Sequence, residues 1–417
     1  QQISTLFWIN VLVGLLLTLL SAGMAPVIAV FYHEPRLFAV TIALAFGFLF
    51  NAVGVQHGAL LQREMRFTAL AVINTISMMI GAVIGIGGAK AGYGYWALVA
   101  MTVSAPIVGT VGFWLATGWV PGLPHRRVGI RSMMRFGGTI TLNGLIVYIA
   151  SNLEKVLIGR FWGADAIGIY GRAYQLINIP TDNLNAAAGE VAFSALSRLQ
   201  DDPRRLKSYF LKGYSLVLAL TVPITIACAL FADDMILVLL GPKWKEAAAV
   251  FRLLAPTVLI FAIANPLSWL LTSIGWVGRN LKLSLFIAPT MIAGYVIGLP
   301  YGPKGVALGY SAVLTLWLLP LIAYCVRGTV VSVRDILHTA SRPFASSIIA
   351  AGLAYCAALL LGTRFSPLPR LVMECTVLLV TYLAMLLFGM NQKDFYVDLL
   401  RGMRKPASID GNALISA

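Results

Sequence analysis

Apolar runs of about 20 residues, each long enough for a helix to cross a hydrocarbon core of roughly 30 Å, recur along this chain from end to end. They leave little room for any other fold. The runs fall near 6–31, 37–60, 69–88, 95–118, 136–158, 166–195, 213–231, 253–274, 283–299, 305–326, 343–361 and 371–389, which predicts about twelve transmembrane helices. Stretches such as VLVGLLLTLL do not alternate in polarity, so a transmembrane barrel built from strands of about ten alternating residues is excluded. Composition agrees: 59% of the 417 residues are hydrophobic and 11% charged, against roughly 25% charged in a soluble domain. The expected fold class is an all-α polytopic membrane protein.

The net charge of +15 does not point to nucleic acid, because Lys and Arg collect between the apolar runs. The even-numbered connections and the tail after Met390 carry 20 of them and the odd-numbered connections 10, with Lys155 counted in the connection it borders. By the positive-inside rule, the even connections and both termini are expected in the cytoplasm. Cys228, Cys325, Cys356 and Cys375 show no C-x-x-C spacing and read as core filler. His33, His57, His125 and His338 are scattered, and no G-x-x-x-x-G-K-[ST], H-E-x-x-H or G-x-S-x-G motif occurs. No metal, cofactor or enzymatic activity is expected.

An internal repeat suggests two related halves. GYGYWAL (Gly92 to Leu98) aligns with GPKGVAL (Gly302 to Leu308) at an offset of 210, and APVIAVFY before Glu34 faces DDMILVLLG before Pro242. A second half opening near Arg135 sets the start of the first about 75 residues before Gln1, so two helices are expected ahead of this sequence. The expected domains are 1–120, the remainder of an N-terminal lobe; 121–135, a basic linker; 136–327, a six-helix lobe; 328–390, a final helix pair; and 391–417, a tail.

Polar residues inside apolar runs mark candidate sites, because a charged side chain at the bilayer centre costs about 2.5–3.5 kcal/mol and so avoids lipid. In the expected fifth helix Thr139, Asn143, Ser151 and Glu154 fall on one face, with Lys155 beside them. In the sixth, Arg172, Gln175, Asn178, Asp182 and Asn185 form a continuous stripe, and Pro180 interrupts the backbone bonding. Two readings are open: Glu154, Lys155, Arg172 and Asp182 are structural, forming ion pairs between two helices or, for Glu154 and Lys155, snorkelling to the interface, or they line a wet cavity for an anionic substrate. Arg63, in LLQREMRF (Leu60 to Phe67), is either a cytoplasmic anchor or a phosphate contact. HRRVGIRSMMR (His125 to Arg135) and RLQDDPRRLKSYFLK (Arg198 to Lys212) read as basic surfaces for anionic lipid.

VLIGRFWGADAIGIYGRAYQL (Val156 to Leu176), ALSRLQDDPRRLKSYFLKG (Ala195 to Gly213), LLGPKW (Leu239 to Trp244) and LPYGPKGVALGYS (Leu299 to Ser311) resemble the polysaccharide exporter family. This is the colanic-acid-exporter-like, Wzx-like branch of the superfamily that also holds drug extruders and the lipid II flippase. The resemblance implies a fourteen-helix fold of two six-helix lobes plus a final pair, here without its first two helices. It implies movement of an undecaprenyl-pyrophosphate-linked oligosaccharide across the bacterial inner membrane through a cavity between lobes. The implied partners are that lipid-linked oligosaccharide, membrane lipids, and a polysaccharide polymerase and glycosyltransferases. The alternatives are a cation-coupled drug exporter of the same fold, and a membrane scaffold that recruits glycosyltransferases.

Overall fold

The computed structural model describes residues 2–124, 145, 148–361 and 366–397. Among them every regular element is helical. Asn143 and Thr139, and with them residues 125–135 of the expected 121–135 linker, lie outside the described residues. The chain divides into two compact units, 1–142 and 143–417.

The first unit contains α1 (Gln2–Tyr32), α2 (Arg36–Arg63), α3 (Phe67–Lys90) and α4 (Tyr95–Thr117). α1 packs on α2, α2 on α4, and α3 on α4. Their outer faces present Leu12, Leu16, Leu19, Leu20 and Val83 uncovered, as suits helices wetted by lipid. His57 is fully buried on α2, where its Nδ1 lies 2.7 Å from Thr117 Oγ1 and its ring 4.4 Å from that of Trp114.

The second unit is organised around α8 (Ala247–Ser273), whose residues Leu254, Ala255, Leu267 and Leu271 are fully buried. Around it stand α5 (Leu153–Arg198), α6 (Pro203–Leu230) and α10 (Gly302–Val326). The short α7 (Ala232–Leu240) follows α6, and α9 (Val277–Gly298) pairs with α10. That pairing is close because a Cβ on Gly298 or Gly309 would overlap the carbonyl oxygens of Gly305 and Gly294, respectively. Small residues let membrane helices approach in this way where no hydrophobic force drives them together. α11 (Val333–Leu361) and α12 (Pro367–Ala384, extended to Gly389 by a π-helical turn) complete the unit.

Nine stretches among the described residues are long and apolar enough to cross a membrane, and one of them, Lys282–Val326, contains two helices. The expected spans 136–158 and 166–195 account for the difference from twelve. Part of the first lies outside the described residues, and the polar stripe dilutes the second, which belongs to α5. The expected face from Thr139 to Glu154 lies partly outside the described residues; within them, the backbone turns at Ser151 and Asn152 before α5 begins. Asn152 holds that turn: its amide donates to Tyr148 O at 2.9 Å and its Oδ1 accepts from Lys155 Nζ at 2.8 Å. The basic stretch expected to connect helices six and seven instead winds into α6 from Pro203, where Asp202 caps the backbone N–H groups of Arg204 and Arg205.

Candidate functional site

The polar residues of α5 are positioned by a bend. Gly163 sits inside the helix with φ +83°, a left-handed conformation open to glycine at little cost. Next to it the Trp162 indole donates to Leu299 O at 2.8 Å and fixes the bend against the α9–α10 connection. The first arm carries Glu154, and the second carries the stripe.

Glu154 is 1% exposed, and neither carboxylate oxygen has a hydrogen-bond partner among the described residues. Four tyrosines lie within its electrostatic reach: Tyr170 and Tyr174 from the second arm of α5, Tyr295 from α9 and Tyr310 from α10. Tyr170 stacks on Tyr174 at 6.0 Å, Tyr295 meets Tyr310 at 5.6 Å, and the buried Tyr170 hydroxyl is itself unpartnered. Lone buried charges cost several kcal/mol, so for Glu154 to stand here as an anion a donor or a cation must reach it.

Lys155 points elsewhere. Its ammonium bonds to Asn152 and lies 4.7 Å from the Tyr174 ring centre. On the second arm Arg172 donates to Gln175 Oε1 at 2.9 Å and its guanidinium carbon lies 5.9 Å from the Trp244 ring. Arg172, Gln175 and Asp182 are exposed along one side of α5, while Tyr170, Ala173 and Ile177 are buried on the other. The structure thus brings Lys155 to the edge of the tyrosine cluster and keeps Arg172, Gln175 and Asp182 as an open polar face. None of Glu154, Lys155, Arg172 and Asp182 pairs with another, so the ion-pair reading of the sequence is corrected. Arg63 stands exposed at the end of α2 in the first unit.

The tyrosine cluster was not visible in the sequence, because its members are spread over 140 positions, from Tyr170 to Tyr310, and nothing local links them. The same holds for the cluster of Asp234, Arg370 and Glu374, in which Arg370 donates through Nε to Asp234 Oδ2 at 2.8 Å and through Nη2 to Oδ1. The ion pair fastens α12 to α7, and Glu374, buried beside it, keeps one oxygen unpartnered. No group of three or more potential metal ligands occurs among the described residues.

Bilayer-length apolar helices in this arrangement, one of them bent and polar, define a polytopic membrane protein of the fold shared by flippases and multidrug transporters. The chain belongs to the family described as polysaccharide biosynthesis protein, which matches residues 1–249. It is 26% identical over 319 residues to the lipopolysaccharide biosynthesis protein WzxC of Escherichia coli strain K12, covering 75% of this chain and 64% of that protein. To the teichuronic acid biosynthesis protein TuaB of Bacillus subtilis strain 168 it is 27% identical over 279 residues, covering 64% of this chain and 56% of that protein. The chain thus spans roughly three fifths of these relatives' lengths. Among solved structures, the lipid II flippase MurJ in an inward closed conformation shares the fold, with a TM-score of 0.70 at 16% identity, covering 96% of this chain and 84% of MurJ.

Proposed function

We propose that the protein to which this chain belongs is a flippase that carries an undecaprenyl-pyrophosphate-linked oligosaccharide across the bacterial inner membrane, with both termini in the cytoplasm. The observation that carries the reading is the exposed Arg172–Gln175–Asp182 face of α5, a polar surface on a helix built among bilayer-length apolar neighbours. Membership in a polysaccharide biosynthesis family supports a sugar cargo, and the fold in common with a lipid II flippase supports translocation.

A pyrophosphate bearing sugars cannot enter hydrocarbon without losing its hydration at high cost. Arg172, Gln175 and Lys155 replace that hydration with charge-assisted hydrogen bonds, which are about twice as strong as neutral ones. Glu154, whose carboxylate has no hydrogen-bond partner among the described residues, balances the cations of the path through its field rather than by contact. The polyprenyl tail stays in lipid throughout. Arg63, charged and exposed at the end of α2, is a further phosphate contact in this reading.

The test is complementation of a flippase-null bacterium with the full-length protein. Restored surface polysaccharide is the expected result. Failure to restore it, together with co-purification of glycosyltransferases, establishes the scaffold reading, and drug extrusion without lipid-linked cargo establishes the exporter reading.

A further inference from the structure

A recess of about 470 Å³ lies apart from the helices of the proposed transport path, walled by the first turns of α6, the first turns of α11 and the segment after α12. α6 turns Ser208 and Lys212 toward it, one helical turn apart, and α11 contributes His338, Thr339 and Arg342 with the same spacing. The third wall exists because Asn391 takes φ +51° at the end of the π turn and sends Gln392–Tyr396 back along the bundle. Tyr396 meets Ser215 at 3.0 Å in the buried floor, which ties that returning segment to α6.

The chemistry of the lining is one-sided. Two permanent cations, a histidine, hydroxyls and an amide converge, and among the described residues no carboxylate lines the space. Asp335, one turn earlier on α11, is already engaged: Lys207 Nζ approaches it at 2.6 Å, and Ser332 N and Oγ both donate to it. Lys212 and Arg342 make no ion pair among the described residues. Like charges gathered at a low-dielectric wall repel unless an anion enters, and a fork of guanidinium and ammonium donors with hydroxyls around it matches phosphoryl oxygens. The recess also lies at the polar end of the apolar stretch of α6, marked by Arg204, Arg205 and Lys207, which is headgroup depth for a membrane-spanning helix.

We propose that this recess binds a phosphate-bearing anion, either the phosphodiester headgroup of an anionic lipid or a soluble phosphate compound. The occupant clamps α11 and the returning segment onto α6. Because the recess shares no residue with α5, α9 or α10, the inference stands or falls independently of the flippase reading.

The chain in a nonionic detergent is titrated with phosphatidylglycerol, read by native mass spectrometry, and with inorganic pyrophosphate, read by calorimetry. One saturable site is expected for at least one probe. The Lys212→Gln/Arg342→Gln double variant is expected to weaken it at least tenfold, while Arg204→Gln, an exposed cation outside the recess, stays within twofold. Ser208→Glu sets a carboxylate at the exposed rim and is expected to give the same loss, so a folding defect in the double variant does not blunt the test. Lipid binding that resists pyrophosphate assigns a headgroup, and pyrophosphate binding alone assigns a soluble anion. The proposal is overturned by no saturable binding of either probe, by equal loss in Arg204→Gln, or by loss in Arg172→Gln with the recess variants unaffected.

Discussion

Glu154 and Lys155 are neighbours in the chain and strangers in the fold. Successive residues of an α-helix point about 100° apart, so an adjacent acid and base on one helix cannot meet side chain to side chain. Here the turn at Ser151–Asn152 gives Lys155 a partner at 2.8 Å in Asn152, and Glu154 is left among tyrosines with no donor. That isolation makes a prediction with a definite sign. Glu154→Gln keeps the shape and removes the ionisable oxygen, so thermal unfolding in detergent is expected to stay the same or rise by about 1 kcal/mol. Export by the full-length protein is expected to fall at least tenfold. A loss of stability equal to that of a broken ion pair would show that Glu154 has a structural partner after all. The sequence made Glu154, Lys155, Arg172, Gln175 and Asp182 visible because polar side chains in an apolar run stand out singly. Tyr170, Tyr174, Tyr295 and Tyr310 stayed hidden, since an aromatic in such a run looks like any other core residue.

Elements, like residues, were legible where the signal is local. Apolar length located α1 to α4, α8 to α10 and α12 to within about six residues, because the bilayer sets one scale for all of them, while the charged first turns of α11 hid its start at Val333, ten residues ahead of the expected span. The start of α6 at Pro203 was missed because its first turns are charged, although Asp-Pro before a helical run is itself a start signal. Helix contacts depend on residues far apart in sequence. Gly309 and Gly294 let α10 and α9 touch backbone to backbone, and Gly309→Ala would force them apart. Overpacking of this kind costs about 1–3 kcal/mol, so a lowered unfolding temperature is expected, with Leu308→Ala, exposed on the same helix, as the milder comparison. The Asp234–Arg370 pair supplies a second test between elements. Asp234 is 10% exposed and Arg370 30%, so Asp234→Asn removes the charge from a pair held largely out of water. Asp234→Asn is expected to cost roughly 1.5–3 kcal/mol, the range for hydrogen bonds to charged groups. The loss should appear first as protease cleavage ahead of α12, and an unchanged digest would remove the pair from the account of what holds α12 to α7.

At the scale of the molecule, the charge asymmetry of the connections makes a claim about direction that α6 and α8 put to a test. α6 spans 28 residues, about 42 Å at 1.5 Å per residue, enough to carry its two ends to opposite faces of a bilayer. Leu206 and Phe210, early in α6, share a core cluster with Leu270 and Leu271, late in α8, so the two helices run antiparallel. Arg204 therefore lies at one end of this hairpin, and Lys245, just before α8, at the other. Positive-inside counting assigns the Arg204 end to the cytoplasm. With Cys228, Cys325, Cys356 and Cys375 replaced, single cysteines at Arg204→Cys and Lys245→Cys report the two ends separately. A membrane-impermeant maleimide applied to spheroplasts is expected to label Lys245→Cys at once and Arg204→Cys only after permeabilisation. The opposite pattern would invert the protein and move the phosphate recess, which shares the Arg204 end of α6, to the outer face. There it would meet a different leaflet and a different pool of soluble anions, so the direction of the whole chain decides which phosphate the recess can reach.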